Sequence, residues 1–309
     1  MKKLLIWLPG MLSMLAACTE AVEIPARAPE KQSPVRVELH LTTEQQAATR
    51  AMDENCIRDV NLYLYGDTEY HFYFPSVSSP LVFNVLPGNY RSYAIANAGQ
   101  DLGDKNAFKI QFYETAVDVM ESSDAIPMTD RGTLAGDGAG RCTPSSLRVT
   151  RSAAKIAYTI EVADAVAPSL RLRSVQFCNL PLTIRPFDSG SISSTVEANY
   201  YDGEAMPVGN ERRTAGTAYL FENLQGSVDT ITDQKDKCPE NAPACATYLR
   251  ILAERSADKA LVEYIVYPSE NNTSDFNVRR NTWHNLELVI RGENEIDNRV
   301  LVYDGLYYG

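Results

Sequence analysis

Apolar residues recur at every second position through most of this chain. From Val35 to Leu41, the residues Val35, Val37, Leu39 and Leu41 alternate with Arg36, Glu38 and His40. A period of two marks a half-buried strand, because successive side chains leave a strand on opposite faces. The same alternation sets Val60, Leu62 and Leu64 against Asn61, Tyr63 and Tyr65, and Tyr70, Phe72 and Phe74 against His71 and Tyr73. Gly66-Asp67 between those runs predicts a hairpin. Further strands are expected at Leu81 to Val85, at Tyr90 to Ala98, and through Phe108, Ile110 and Phe112. Gly132 to Gly140 reads as a glycine-rich loop. Leu147 to Val162 carries the longest strand signal, with Ile156, Tyr158, Ile160 and Val162 on one face.

The stretch from Ala163 to Pro168 breaks this pattern and predicts a domain boundary, dividing the chain into 35–164 and 165–309. A second set of strands is expected at Leu170 to Phe177, Tyr219 to Glu222, Ala246 to Ala253, Leu261 to Tyr267 and Asn285 to Arg291. Many short strands, frequent turn signals and almost no helical period indicate an all-β chain of two tandem β-sandwich domains. Near the C-terminus, Val300, Leu301, Val302 and Tyr303 precede the turn signal Asp304-Gly305. That run reads either as the closing hairpin of the second domain or as a donor strand meant for a neighbour.

The first 17 residues break with the alternating pattern. Lys2 and Lys3 precede an apolar run, Leu4 to Leu15, that is too short for a stable membrane span. The run ends in Leu15-Ala16-Ala17-Cys18, the pattern of a lipobox, in which the leader is cut before Cys18 and its thiol carries a lipid. Residues 18–34, with Pro25, Pro29 and Pro34, read as a tether; extended, they would hold a domain about 50 Å from the lipid. The composition is 44% hydrophobic and 22% charged, as in a folded protein, and the net charge of −11 excludes the basic face that nucleic acid requires. The expected product is an acidic, lipid-anchored protein outside the cytoplasm.

Export permits disulfides. Cys238 and Cys245 enclose Pro239 and Pro243 and suggest a local disulfide, leaving Cys56, Cys142 and Cys178 unassigned. No nearby His supports zinc at that pair. Catalytic chemistry finds little to hold. His40, His71 and His284 sit within or beside strand patterns, and no nucleophile elbow, phosphate loop or paired-His motif appears. Asp233, Asp236, Glu293, Glu295 and Asp297 do not match a calcium loop. No enzyme, metal or cofactor is expected. A glycan-binding surface module is a competing class, with Trp283 or Tyr200 and Tyr201 as its candidate platforms.

Several segments, taken in order, resemble the fimbrillin-type lipoproteins of Bacteroidales, the subunits of type V pili with their anchor and accessory relatives. They are the lipobox at Cys18; Asp53-Glu54-Asn55-Cys56-Ile57; Leu86-Pro87-Gly88-Asn89-Tyr90; Arg151-Ser152-Ala153-Ala154-Lys155-Ile156; Phe221-Glu222-Asn223-Leu224-Gln225-Gly226; and Asp275-Phe276-Asn277-Val278-Arg279-Arg280-Asn281. The resemblance implies two transthyretin-like β-sandwich domains. It also implies export to the outer membrane, cleavage after an arginine, loss of the first strand, and its replacement by a strand from another subunit. Arg50-Ala51 lies where that cut would fall, with Arg27-Ala28 competing for it. An anchor relative would keep both lipid and first strand, and host glycans or proteins are candidate ligands for an adhesive member. The tail after Ile296 is short for a polymerising subunit. Such exchange trades one edge strand for another, and would be ruled out by residues 35–41 threaded through a closed core and paired on both flanks, with the Arg50 bond inaccessible.

Overall fold

The structure, a computed structural model, describes residues 33–43, 55–104, 106–107, 112–113, 126–137, 142–143, 146–187, 193–209, 211–292 and 295–304. The expected signal peptide, Cys18, the tether up to residue 32, Arg50-Ala51 and the alternation through 108–111 lie outside those residues. Within them the chain is all-β, as its period of two requires.

The first group of strands is β1 (Val35–Thr43), β2 (Val60–Tyr65), β3 (Glu69–Phe74), β4 (Leu81–Val85), β5 (Gly88–Ala96), β6 (Phe112–Tyr113), β7 (Met128–Gly136), β8 (Cys142–Thr143) and β9 (Ser146–Arg151). Seven of them form a continuous path in the order β3-β2-β5-β7-β9-β1-β4, with β8 added beside β7. The alternation decides which side chains go inside. Val60, Leu62 and Leu64 meet Ala94, Ala96, Leu134, Leu147 and Val149 in one core. The ends of the path approach each other through aromatic contacts, with Phe72 and Phe83 ring centres 4.8 Å apart. Gly132 to Gly136, expected in a loop, belong to β7, because its antiparallel ladder with β5 outweighs the poor strand propensity of glycine.

The second group is β10 (Ala153–Val162), β11 (Leu170–Cys178), β12 (Leu180–Pro181), β13 (Thr183–Ile184), β14 (Tyr200–Tyr201), β15 (Met206–Pro207), β16 (Arg213–Phe221), β17 (Asn223–Ser227), β18 (Tyr248–Arg255), β19 (Leu261–Val266), β20 (Asp275–Val278), β21 (Thr282–Gly292) and β22 (Glu295–Asp304). Two four-stranded sheets, β16-β10-β21-β22 and β15-β11-β18-β19, enclose a core of Ile156, Tyr158, Ile160, Phe177, Leu249 and Leu288 among others.

The long strand expected from Leu147 to Val162 is two strands. The chain leaves the first group at Ser152, whose N–H donates to the Pro127 carbonyl at 2.8 Å, and β10 begins in the second group. The Ala163 to Pro168 stretch is a turn between β10 and β11, both strands of the second group. Strand partners therefore change at Ser152.

Candidate strand-exchange site

Strand β1 is placed by two different ladders. Val35 to Leu39 pair antiparallel with Val85 to Leu81 of β4, and His40 to Thr43 pair parallel with Ser146 to Val149 of β9. The expected edge strand is thus an inner one, lying between β9 and β4. The change of partner at His40 is the physical reason: β1 is long enough to serve β4 with its first half and β9 with its second. No residue of β1 is laddered to both neighbours, so each has one strand partner. β4 has no other strand partner among the described residues, so its main-chain ladder runs to β1 alone.

Val37 and Leu39 are fully buried, against Leu81, Phe83 and Val85 of β4 and Leu147 and Val149 of β9 in the same core. Val35 and Leu41, expected to be buried with them, are half-buried at the strand's ends. Two such burials stabilise by about 1.5–3 kcal/mol each. The polar face adds little: Arg36 and Glu38 pair at 3.2 Å in solvent, where such bridges count for little. The His40 imidazole lies 3.1 Å from the Ser79 hydroxyl, and the Thr42 hydroxyl donates to the Leu147 carbonyl at 3.3 Å. What holds β1 is its main-chain ladder and two apolar plugs, and another strand with the same spacing could supply both. The alternation of Leu81, Phe83 and Val85 was visible in the sequence, but nothing in it told that this strand would depend on β1.

The other expected site residues scatter. Val300 to Tyr303 lie in β22, paired antiparallel with Leu286 to Trp283 of β21; the turn signal at Asp304-Gly305 reaches beyond the described residues. β22 is the outer strand of its sheet. The expected disulfide is absent: Cys238 and Cys245 are both free thiols. Each is fixed in its own turn, with Ala242 N–H donating to the Cys238 carbonyl and Ala246 N–H to the Pro243 carbonyl. The Cys238 thiol is tied to Glu240, which pushes it up, while burial and then Glu197 push the Cys245 thiol up. Trp283 packs in a core with Phe221 and Tyr93, under the Lys155 ammonium at 5.4 Å. The Tyr200 hydroxyl donates to the Ser194 carbonyl at 2.5 Å.

Buried titratable groups gather elsewhere, around Lys237 and His284. The Lys237 ammonium donates to the Ser269 hydroxyl at 2.5 Å and the Asn271 carbonyl at 2.6 Å. Burial lowers it to about 8. His284 contacts the Thr282 hydroxyl at 2.9 Å, and burial lowers it to about 4. Both groups are fully engaged within the second set of sheets.

Residues 218–288 match the model of a domain of unknown function, DUF4906. No curated protein matches the chain. Solved structures do. A candidate cell adhesion protein from Bacteroides eggerthii superposes with a TM-score of 0.64 at 11% identity, covering 89% of this chain and 97% of that one. The fimbrilin FimA of Porphyromonas gingivalis W83 gives 0.58 at 14%, covering 89% and 98%. The tip fimbrial protein Mfa3 of Porphyromonas gingivalis, truncated at its C-terminus, gives 0.57 at 14%, covering 88% and 100%. The chain has the fold of these Bacteroidales fimbrial and cell adhesion proteins along nearly its whole described length.

Proposed function

We propose that this chain is a structural or adhesive subunit of a cell-surface fimbria, exported as an outer-membrane lipoprotein through Cys18 and without catalytic activity. Its two groups of sheets are two domains in this reading, divided at Ser152 where the strand partners change. Assembly proceeds by cleavage at Arg50-Ala51, release of β1, and entry of a strand from another subunit, for which Val300 to Tyr303 is the candidate donor. The observation that carries this reading is the placing of β1. It has one strand partner at each residue and two buried plugs, and its departure leaves β4 without a ladder. Unpaired main-chain groups beside an emptied apolar slot are costly, so a vacated site favours refilling by strand addition.

A replacement must run in the direction of β1, parallel to β9 and antiparallel to β4, with apolar residues at the places of Val37 and Leu39. Low-dose trypsin on the lipidated chain, followed by N-terminal sequencing and gel filtration, tests it. A new N-terminus at Ala51 with oligomer growth is expected. A chain that stays uncut at Arg50 and monomeric would instead be an anchor that keeps its own β1.

A further inference from the structure

Strands β3, β2, β5 and β7 present one row of directly opposed residues, Glu69, Tyr65, Arg91 and Thr133, on the same face. Asn89 and Ala135 form the next pair outward on that face. Together they line an open cleft of about 510 Å³ at the end of the sheet, within the size range of small-molecule sites. The cleft lies on strands other than β1, β4 and β9, so it is independent of strand exchange.

Its parts are chemically distinct. The Tyr65 ring is held in place: its hydroxyl oxygen accepts from Ala107 N–H at 2.9 Å, and it stacks near Tyr63 at 6.4 Å. A fixed, half-exposed ring offers an apolar platform at little cost in ordering. Arg91 stands between Tyr65 and Thr133, exposed and with no ion-pair partner among the described residues. Glu69, on the other side of Tyr65, is also exposed. Asn89 adds an amide and Thr133 a hydroxyl. Gly66 lets the floor close up, since a β-carbon there would lie 2.7 Å from the Asn89 carbonyl and 2.8 Å from the Tyr90 ring.

We propose that this cleft binds a carboxylate-bearing saccharide, a uronic-acid disaccharide or its end on a longer glycan. The sugar ring lies on Tyr65, its carboxylate meets Arg91, and its hydroxyls bond to Glu69, Asn89 and Thr133. A lone arginine matches one carboxylate, which planar guanidinium groups bind through two parallel bonds. One arginine beside Glu69 compensates a single negative charge, which disfavours a polyphosphate. The row spans three inter-strand steps, about 14 Å, which accommodates two sugar rings rather than one.

Calorimetric titration of the full chain in detergent with a glucuronic-acid disaccharide, its methyl ester and the matching neutral disaccharide tests this. The acid is expected to bind about tenfold or more tightly than the ester, and Arg91→Gln is expected to abolish that preference without lowering the melting temperature. Thr133→Val, also exposed, is expected to weaken all three sugars alike. Absence of saccharide binding, equal binding of acid and ester, an unchanged preference in R91Q, or a preference for acidic peptides over the disaccharide would each overturn the proposal.

Discussion

Gly216 lies directly opposite Tyr158 in the ladder between β10 and β16. A β-carbon there would sit 2.6 Å and 2.9 Å from two carbons of the Tyr158 ring. The tyrosine ring thus covers the glycine and fills the space that another side chain would take. Gly216→Ala is expected to destabilise by about 1–3 kcal/mol through overpacking, read from the urea midpoint, and Tyr158→Leu in the same chain should recover part of the loss. His284 gives a different kind of residue-scale test, because burial holds it neutral down to about pH 4 against an ordinary 6.5. Above pH 6.5 neither folded nor unfolded chain carries that proton, and His284 adds no pH dependence. Below it the unfolded chain binds a proton that the folded one refuses, so stability falls until the folded imidazole also titrates near pH 4. The loss should be on the order of 3 kcal/mol across that window. Carboxylates titrate there too, so the measurement is the difference in urea midpoints between the chain and His284→Asn at pH 7, 5 and 4. A difference that does not change with pH would contradict the neutral, buried imidazole. Lys237 works in the opposite range: held at about 8, it should let stability rise between pH 8 and about 10.4, where only the unfolded chain keeps the proton.

At the scale of elements, β1 concentrates its anchoring in its middle. Leu39→Ala removes a fully buried side chain and should cost about 2–5 kcal/mol. Val35→Ala, at the half-buried start of the strand, should cost well under half of that. Thermal denaturation of the two variants separates them, and equal losses would show that the strand is held along its whole length. The alternation 35–41 made this strand legible in the sequence, and the same period marked β2 to β5, β10 and β11. What it could not convey was pairing. A strand's inward side chains look the same whether its ladder runs to one neighbour or is shared between two, so the division of β1 between β4 and β9 was hidden. The break at Ser152 was hidden for a related reason, since Leu147 to Arg151 and Ala153 to Val162 are each well-formed strand sequences. Gly132 and Gly136 misled in the other direction: local propensity argued for a loop, and the ladder to β5 decided otherwise. The cleft around Tyr65 and Arg91 was invisible for the same cause, because its row exists only once four strands are in register.

For the whole molecule the question is whether the two groups of sheets act as one body. Strand β6 pairs with β13 across them. A separate core joins Tyr63, Tyr93, Ile95 and Ile126 of the first group to Ile184, Phe187, Tyr219 and Phe221 of the second. Polar contacts follow the same seam: the Thr129 hydroxyl donates to the Pro186 carbonyl at 3.2 Å, and Arg131 donates to the Phe187 carbonyl at 3.3 Å. Within the second group, Arg280 donates to the same Pro186 carbonyl at 2.7 Å while pairing with the buried Glu222 at 3.0 Å, which braces the Pro186 stretch that Thr129 meets. A joint with its own apolar core and its own main-chain pairing is expected to transmit unfolding, so heating should give one calorimetric transition whose van't Hoff and calorimetric enthalpies agree. Phe221→Ala empties part of that core and should cost about 3–5 kcal/mol. The more telling consequence is cooperativity: with the seam weakened, the single transition should broaden or divide into two, while Leu39→Ala, far along the first sheet, should lower the midpoint and leave one transition. Two transitions already present in the unaltered chain would mean that the groups of sheets unfold independently.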